Sequence, residues 1–184
     1  MLVKASKFGN LIIQAHRDTN HFYDDNLPYE YHLNLTNKTG KQFKYLIPDI
    51  WFWVEDLLWG HDGIEDARLT YNDIIKFALL AGHPREIAVK IAEGVRALTN
   101  YSRGRDRNER MPDYIYKEIA ETEGATYGKL CDRIANCKHG LITGSTMRKR
   151  YLEEQPHFKE MLYPTSMNLQ PMWDYLDKIL IIDL

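Results

Sequence analysis

The sequence predicts an all-α protein folded as one helical bundle. Three observations carry that expectation. Apolar residues recur at helical spacing through most of the chain. Start and stop signals for helices punctuate the intervals between those stretches. Strand-like alternation is lacking apart from Ile179-Leu180-Ile181-Ile182, which reads as strand or helix alike. The chain has 184 residues, enough for a single domain with its own core. No repeat, low-complexity tract or linker divides it.

Taken in order, Phe8, Leu11, Ile12, Ala15, Thr19 and Phe22 define an amphipathic first helix that carries His16 and His21. Asp24-Asp25-Asn26-Leu27-Pro28 is a turn signal, and Pro28-Tyr29-Glu30-Tyr31-His32 starts a second helix. Asn37-Lys38-Thr39-Gly40-Lys41 reads as a polar loop. Pro48-Asp49 opens a helix with Ile50, Trp53, Val54, Leu57 and Leu58, in which Trp51, Trp53 and Trp59 are core pieces. Thr70 caps the next helix, whose apolar face is Ile74, Ile75, Phe77 and Leu80, and Gly82 ends it. Pro84 opens another, with Ile87, Val89, Ile91, Val95 and Leu98. Ser102 to Pro112, rich in Arg, Asp and Glu, reads as a solvated loop. Helical spacing resumes at Asp113–Ile119. A helix from Ala125 to Lys138 should end at Gly140, with Lys129, Asp132 and Asn136 along one side. The tail divides into Met147–Glu154, Phe158–Leu162 and Met172–Ile182.

Composition narrows the function classes. Hydrophobic residues make up 44% and charged residues 27%, and the net charge is -2, so nothing drives the chain toward nucleic acid or an anionic membrane. The longest apolar run is too short for a bilayer, and the N-terminus lacks a secretory signal. Cys131 and Cys137 read as reduced, packed thiols of a cytoplasmic protein. His83, His139 and His157 have no evident partners in the sequence, and His16 reads as a packing or surface residue.

The chemistry concentrates at His61-Asp62-Gly63-Ile64-Glu65-Asp66, directly after an apolar run. If the helix continues, His61 stacks on Glu65 and Asp62 on Asp66, one turn apart. Such a polar stripe suits a metal ion beside a general acid or base, with further ligands supplied from elsewhere.

Three separated segments now line up: Ala15-His16 with Pro28-Tyr29-x-x-His32, then His61-Asp62-x-x-Glu65-Asp66, then Lys129-Leu130-x-Asp132-Arg133-x-x-Asn136. In this order the set resembles the HD-domain phosphohydrolases, and within them the alarmone hydrolase domain of the RelA/SpoT homologues and the small alarmone hydrolases. Gly94-Val95-x-x-Leu98-Thr99 also fits that pattern. The resemblance spans residues 10 to 140, and the helical extension over 145–184 lies outside it. It implies a single HD-domain helical bundle. It implies a metal site of His32, His61, Asp62 and Asp132, usually holding Mn²⁺. It makes Glu65 and Asp66 the water-handling pair, and sets Lys129, Arg133 and Asn136 near the nucleotide. The implied reaction removes pyrophosphate from the 3′ position of guanosine tetra- or pentaphosphate.

Elementary chemistry agrees. Two imidazoles and two carboxylates suit Mn²⁺, Fe²⁺, Zn²⁺ or Mg²⁺, and ligand softness alone does not choose among them. A bound divalent ion acidifies water and screens phosphate charge. Lys129, Arg133 and the arginines 103, 105, 107 and 110 are candidate cations for a leaving phosphate. Departures cluster on the base-binding side. His21 stands where the family has an Arg that stacks on the base, Leu33 stands where it has Pro, and a stretch around Asn37–Tyr45 is added. Tyr29, next to the motif, borders the same region. An adenine alarmone, NADPH, a deoxynucleoside monophosphate or another 3′-phosphorylated nucleotide therefore stays open as substrate, as does a non-catalytic alarmone-binding or antitoxin role.

Overall fold

The computed structural model describes residues 4–24, 26–100 and 111–182. Their elements are α1 (Lys7–Asp18), a short hairpin of β1 (Phe22–Tyr23) and β2 (Leu27–Pro28), α2 (Glu30–Phe43), α3 (Trp51–Gly60), α4 (Tyr71–Ala81), α5 (Arg85–Leu98), α6 (Asp113–Glu121), α7 (Ala125–Thr143), α8 (Met147–Leu162) and α9 (Gln170–Ile181). The fold is all-α apart from the hairpin, which pairs Phe22 with Pro28 and Tyr23 with Leu27. Among the described residues no helix is long and apolar enough to cross a membrane.

The bundle is built around α3. Trp53, Val54, Leu57, Leu58 and Trp59 are all buried, so most of this helix lies in the core, while Phe52 faces outward and Asp56 bonds Ser6 and His83. It packs against α1, α2, α5 and α7. All four neighbours approach it through a glycine, and a Cβ on Gly9 of α1 would come within 2.8 Å of Trp59. A Cβ on Gly40 of α2 would come within 2.3 Å of Leu58, and one on Gly94 of α5 within 2.2 Å of Leu57. On Gly128 of α7 it would meet Leu57 and Leu98 at 2.9 Å. One core runs from Phe8 in α1 to Leu180 in α9, so the tail helices belong to the same packed unit.

Local signals explain most boundaries. Ser6 caps α1 through Gly9 N–H at 2.8 Å. Thr70 and Asp73 form a reciprocal capping box at α4, and Gly82 ends that helix at φ 106°.

Several expected boundaries move. The first helix stops at Asp18, because Thr19 caps it and Asn20 turns at φ 54°; Phe22 belongs to the hairpin. The expected loop at 37–41 is the interior of α2. Asn37 bonds back to Leu33 O, and Gly40 is buried where its missing side chain admits Leu58 and its carbonyl accepts from Tyr127. Residues 37–43 thus extend a core helix. α7 continues through Gly140 to Gly144, whose φ of 71° ends it. Met147 to Leu162 is one helix despite Pro156, because Tyr151, Gln155 and Phe158 hold it along one buried face. Ile179–Ile181 is helical. The expected loop at 102–112 falls almost wholly outside the described residues.

Three histidines without evident sequence partners have them in space. His83 Nε2 lies 2.6 Å from Asp56 Oδ2, His139 Nε2 lies 2.7 Å from Asp24 Oδ2, and His157 Nε2 lies 3.1 Å from Asp113 Oδ1.

Candidate metal centre

α3 ends at Gly60, and His61 to Asp66 are turns rather than a further helical stretch. Gly63 N–H reaches back to Gly60 O and Asp66 N–H to Asp62 O, each at 2.8 Å. The expected helical stripe is therefore a compact turn. It keeps the Asp62–Asp66 relation through that backbone bond, while Glu65 turns toward Asn100, whose N–H it accepts at 3.0 Å.

Four donor atoms converge beside this turn. His32 Nε2 lies 3.1 Å from His61 Nε2, and 3.3 Å from both Asp62 Oδ2 and Asp132 Oδ1. His61 Nε2 lies 3.0 Å from Asp62 Oδ2 and 3.8 Å from Asp132 Oδ1. Atoms bound at ~2.1 Å to one ion are ~3.0 Å apart along an octahedral edge and ~3.4 Å apart along a tetrahedral edge. The observed spacings fall around those edges. His61 Nδ1 lies 2.9 Å from Leu58 O, so its N–H is used there and its Nε2 lone pair faces the group. Buried lone pairs and carboxylates gathered this closely repel one another unless a proton or a cation stands between them. The residues present fit a divalent cation. His32, His61 and Asp132 bring ligand atoms within 4.8 Å of one another, close enough to hold an ion, and all three are buried.

Without an ion the fold must hold protons there. Burial by itself would lower His32, but hydrogen bonds and charge from Asp132 and Asp62 raise it to about 9. His61 is likewise raised against the effect of burial, chiefly by Asp62. Burial would raise the two carboxyls; instead the histidines hold Asp62 well below the usual range, and Lys129 with the histidines does so for Asp132.

The expected water-handling pair has a different character. Burial raises Glu65, opposed by the Asn100 N–H bond and aided by the Asp62 charge. Burial and Asp62 also raise Asp66. The Tyr29 hydroxyl sits between Asp62 Oδ2, at 2.7 Å, and Asp66 Oδ2. A phenol carries one proton. It can therefore donate to only one of the two carboxylates at a time, and its bond to Asp66 lowers that carboxyl's proton affinity against the effect of burial. Tyr29 is thus part of the centre rather than its border.

A cavity of about 260 Å³ opens over the group. Its lining includes Tyr29, His32, Asp62, Glu65, Asp66, Lys129, Asp132 and Asn136, all expected from the sequence. Leu98, part of the Gly94-Val95-x-x-Leu98-Thr99 pattern, also lines it, and Tyr23, Asn100, Met111, Met147 and Tyr151, which no sequence signal marked, complete it. Lys129 and Asn136 face the cavity, yet both brace Asp132: Lys129 Nζ reaches Oδ2 at 3.2 Å and Asn136 Nδ2 donates to Oδ1 at 2.7 Å.

Arg133 does not join them. It is buried between the rings of Tyr151 and Phe158, 4.3 and 4.1 Å from their centroids, and donates to Tyr151 O at 2.9 Å. Its expected contact with substrate is replaced by a clamp joining α7 to α8. That clamp sets the wall to which Met147 and Tyr151 belong, giving the tail helices a part in the cavity. His21 lies off the main cavity. It stacks on Tyr29 with centroids 4.9 Å apart, its Nδ1 3.6 Å from Asp66 Oδ1, and it borders a smaller cavity on that side. His16 is buried and stacked on Tyr29 at 4.3 Å, and burial lowers it to about 4, so it packs as a neutral ring. The four arginines of the expected charged loop lie outside the described residues. Among the described lining residues Lys129 is the only Lys or Arg.

In comparison with known proteins, no family model matches the chain and no curated protein sequence matches it.

Proposed function

We propose that the chain is a metal-dependent nucleotide phosphohydrolase, acting on a guanosine tetra- or pentaphosphate-like alarmone to release its 3′-pyrophosphate. One observation carries the reading: the nitrogen and oxygen donors of His32, His61, Asp62 and Asp132 converge at ligand-to-ligand spacings beside two carboxyls whose proton affinity is raised. These four residues would hold the ion, Mn²⁺ on the family resemblance, with Fe²⁺, Zn²⁺ or Mg²⁺ equally served by the donor set. When bound, such an ion supplies an acidified water and a counter-charge for the phosphate.

The protein's own groups divide the remaining work. Glu65 lines the cavity, is exposed to it, and is the group assigned to accept the proton of the attacking water. Tyr29 donates its hydroxyl to Asp62 or Asp66 and ties the two carboxyls together, which keeps Asp62 oriented. Lys129 offers an ammonium at the cavity wall for the departing phosphate while steadying Asp132. The free, buried Cys131 and Cys137 accord with a reducing cytoplasmic setting.

Incubation with Mn²⁺ and ppGpp is expected to release pyrophosphate and GDP, resolved by anion-exchange chromatography. Glu65→Gln should abolish turnover while Mn²⁺ still binds. No turnover with any of the four metals overturns the proposal. A second reading, hydrolysis of an adenine alarmone, NADPH or a deoxynucleoside monophosphate by the same centre, is favoured by His21. A half-exposed imidazole against Tyr29 is a less cationic platform for a base than the family's Arg. A competition panel of guanine and adenine nucleotides decides between the two.

A further inference from the structure

His61 and His32 are held differently. A histidine that binds metal through one ring nitrogen is ordinarily oriented by a hydrogen bond at the other. His61 has that bond, to Leu58 O. His32 does not: its Nδ1 is buried without a hydrogen-bond partner among the described residues. What lies on His32 instead is the ring of Tyr23, nearly parallel at 13° with centroids 4.8 Å apart. The Tyr23 hydroxyl donates to Asn136 Oδ1 at 2.7 Å. That bond leaves the amide's Nδ2 turned to Asp132 Oδ1, the oxygen that faces both histidines. A flipped amide would set its oxygen against the Asp132 carboxylate. Burial raises the Tyr23 phenol, so it stays protonated as a donor.

The hairpin that carries Tyr23 is itself pinned to α7. Asp24, the next residue, pairs with buried His139, and the Tyr23 ring meets the His139 ring edge-on at 4.9 Å. Phenylalanine would fill the same volume, so the hydroxyl's bond to Asn136 is what distinguishes this residue from ordinary packing.

We infer that Tyr23 is a positioning residue of the cation site, fixing the plane of His32 by stacking and aiming Asp132 Oδ1 through Asn136. The inference rests on the metal reading of the centre and adds to it a residue from the hairpin. Loss of an outer-sphere partner of a metal ligand weakens binding by about 10- to 100-fold.

The test is Mn²⁺ titration of the whole chain by calorimetry, with circular dichroism as the folding control. Tyr23→Phe keeps the ring and should raise Kd about tenfold, and Tyr23→Leu should raise it toward a hundredfold. Asn136→Ala should weaken binding about as much as Tyr23→Phe, and Tyr23→Phe combined with Asn136→Ala should be no weaker than Asn136→Ala alone. That non-additivity separates action through Asn136 from general packing. A wild-type chain that binds Mn²⁺ together with an unchanged Kd in Tyr23→Phe overturns this inference alone, as do additive effects in the double variant. Failure of the wild-type chain to bind Mn²⁺ overturns the metal reading and this inference with it.

Discussion

Mn²⁺ affinity should rise steeply with pH, and the slope follows from His32. In the metal-free fold its imidazole is raised from 6.5 to about 9, because the hydrogen bonds and charges of Asp132 and Asp62 outweigh burial. A metal ligand must be the neutral ring, so the proton has to leave before the ion enters. At pH 7 that group lies about two units below its midpoint, which weakens binding about a hundredfold, or ~2.7 kcal/mol, relative to the neutral ring. Each unit gained toward pH 9 returns a factor of about ten. His61 is shifted in the same direction and steepens the dependence, whereas Asp62 and Asp132 are held low and are already ionised. Stability of the metal-free chain runs the opposite way. His32 is raised on folding, so its contribution of about 3 kcal/mol is complete below pH 6.5 and is lost as pH climbs through about 9. The rise in Tm on adding Mn²⁺ should accordingly be larger at pH 8.5 than at pH 6.5. Calorimetric titration at several pH values, repeated in two buffers of different ionisation enthalpy, measures both Kd and protons released. A Kd independent of pH, with no proton release near neutrality, would refute the reasoning.

Other expectations are simpler. Gly94→Ala forces a Cβ to within 2.2 Å of Leu57 Cδ1, and about 1–3 kcal/mol of overpacking should exceed the gain in helix propensity, lowering Tm; Leu57→Ala should then cost less in the Gly94→Ala background than in the wild-type chain. Thr70→Ala removes the capping box of α4 and should cost about 1 kcal/mol in denaturant unfolding. Arg133→Ala leaves Glu154 and Tyr151 O without this donor and should cost about 3–5 kcal/mol, with faster proteolysis between α7 and α8; unaltered stability would show that the clamp is dispensable. Tyr29→Phe deletes a hydrogen bond that lowers the Asp66 pKa, so the acid limb of kcat/KM should move to higher pH.

Much of the architecture was legible because local rules agreed with the global packing. Thr70, Gly82 and Pro84 mark boundaries that local chemistry determines, and they fall where expected. The apolar run in α3 announced a buried helix. Asn37–Lys41 misled for a definite reason: Gly and Asn signal turns when exposed, but here both are buried, Gly40 for the space it spares and Asn37 with its amide bonded within its own helix. In the same way Pro156 is outweighed by the face that Tyr151 and Phe158 bury. His61 and Asp62 were legible as residue types after an apolar run, whereas His32 and Asp132 entered only through the family resemblance. The roles of Tyr23, Tyr151 and Arg133 were not, because each depends on a contact between segments far apart in sequence, and no periodicity encodes such contacts.

The glycines around α3 bear on how substitution data for this chain should be read. Gly40, Gly94 and Gly128 touch no donor atom of the centre, yet each admits nothing larger against Leu57 or Leu58. A saturation scan scored by turnover would rank them with His61 and Asp62, since shifting α3 displaces the turn that carries both. Intolerance alone would then mix the makers of the site with the residues that merely let α3 lie where it does. Gly94-Val95-x-x-Leu98 is a case in point. Gly94 meets Leu57 and Val95 meets Gly60, while Leu98 alone of the three reaches the cavity. Scoring abundance and turnover side by side would separate the two groups, because the glycines should fail in both and Glu65 in turnover only.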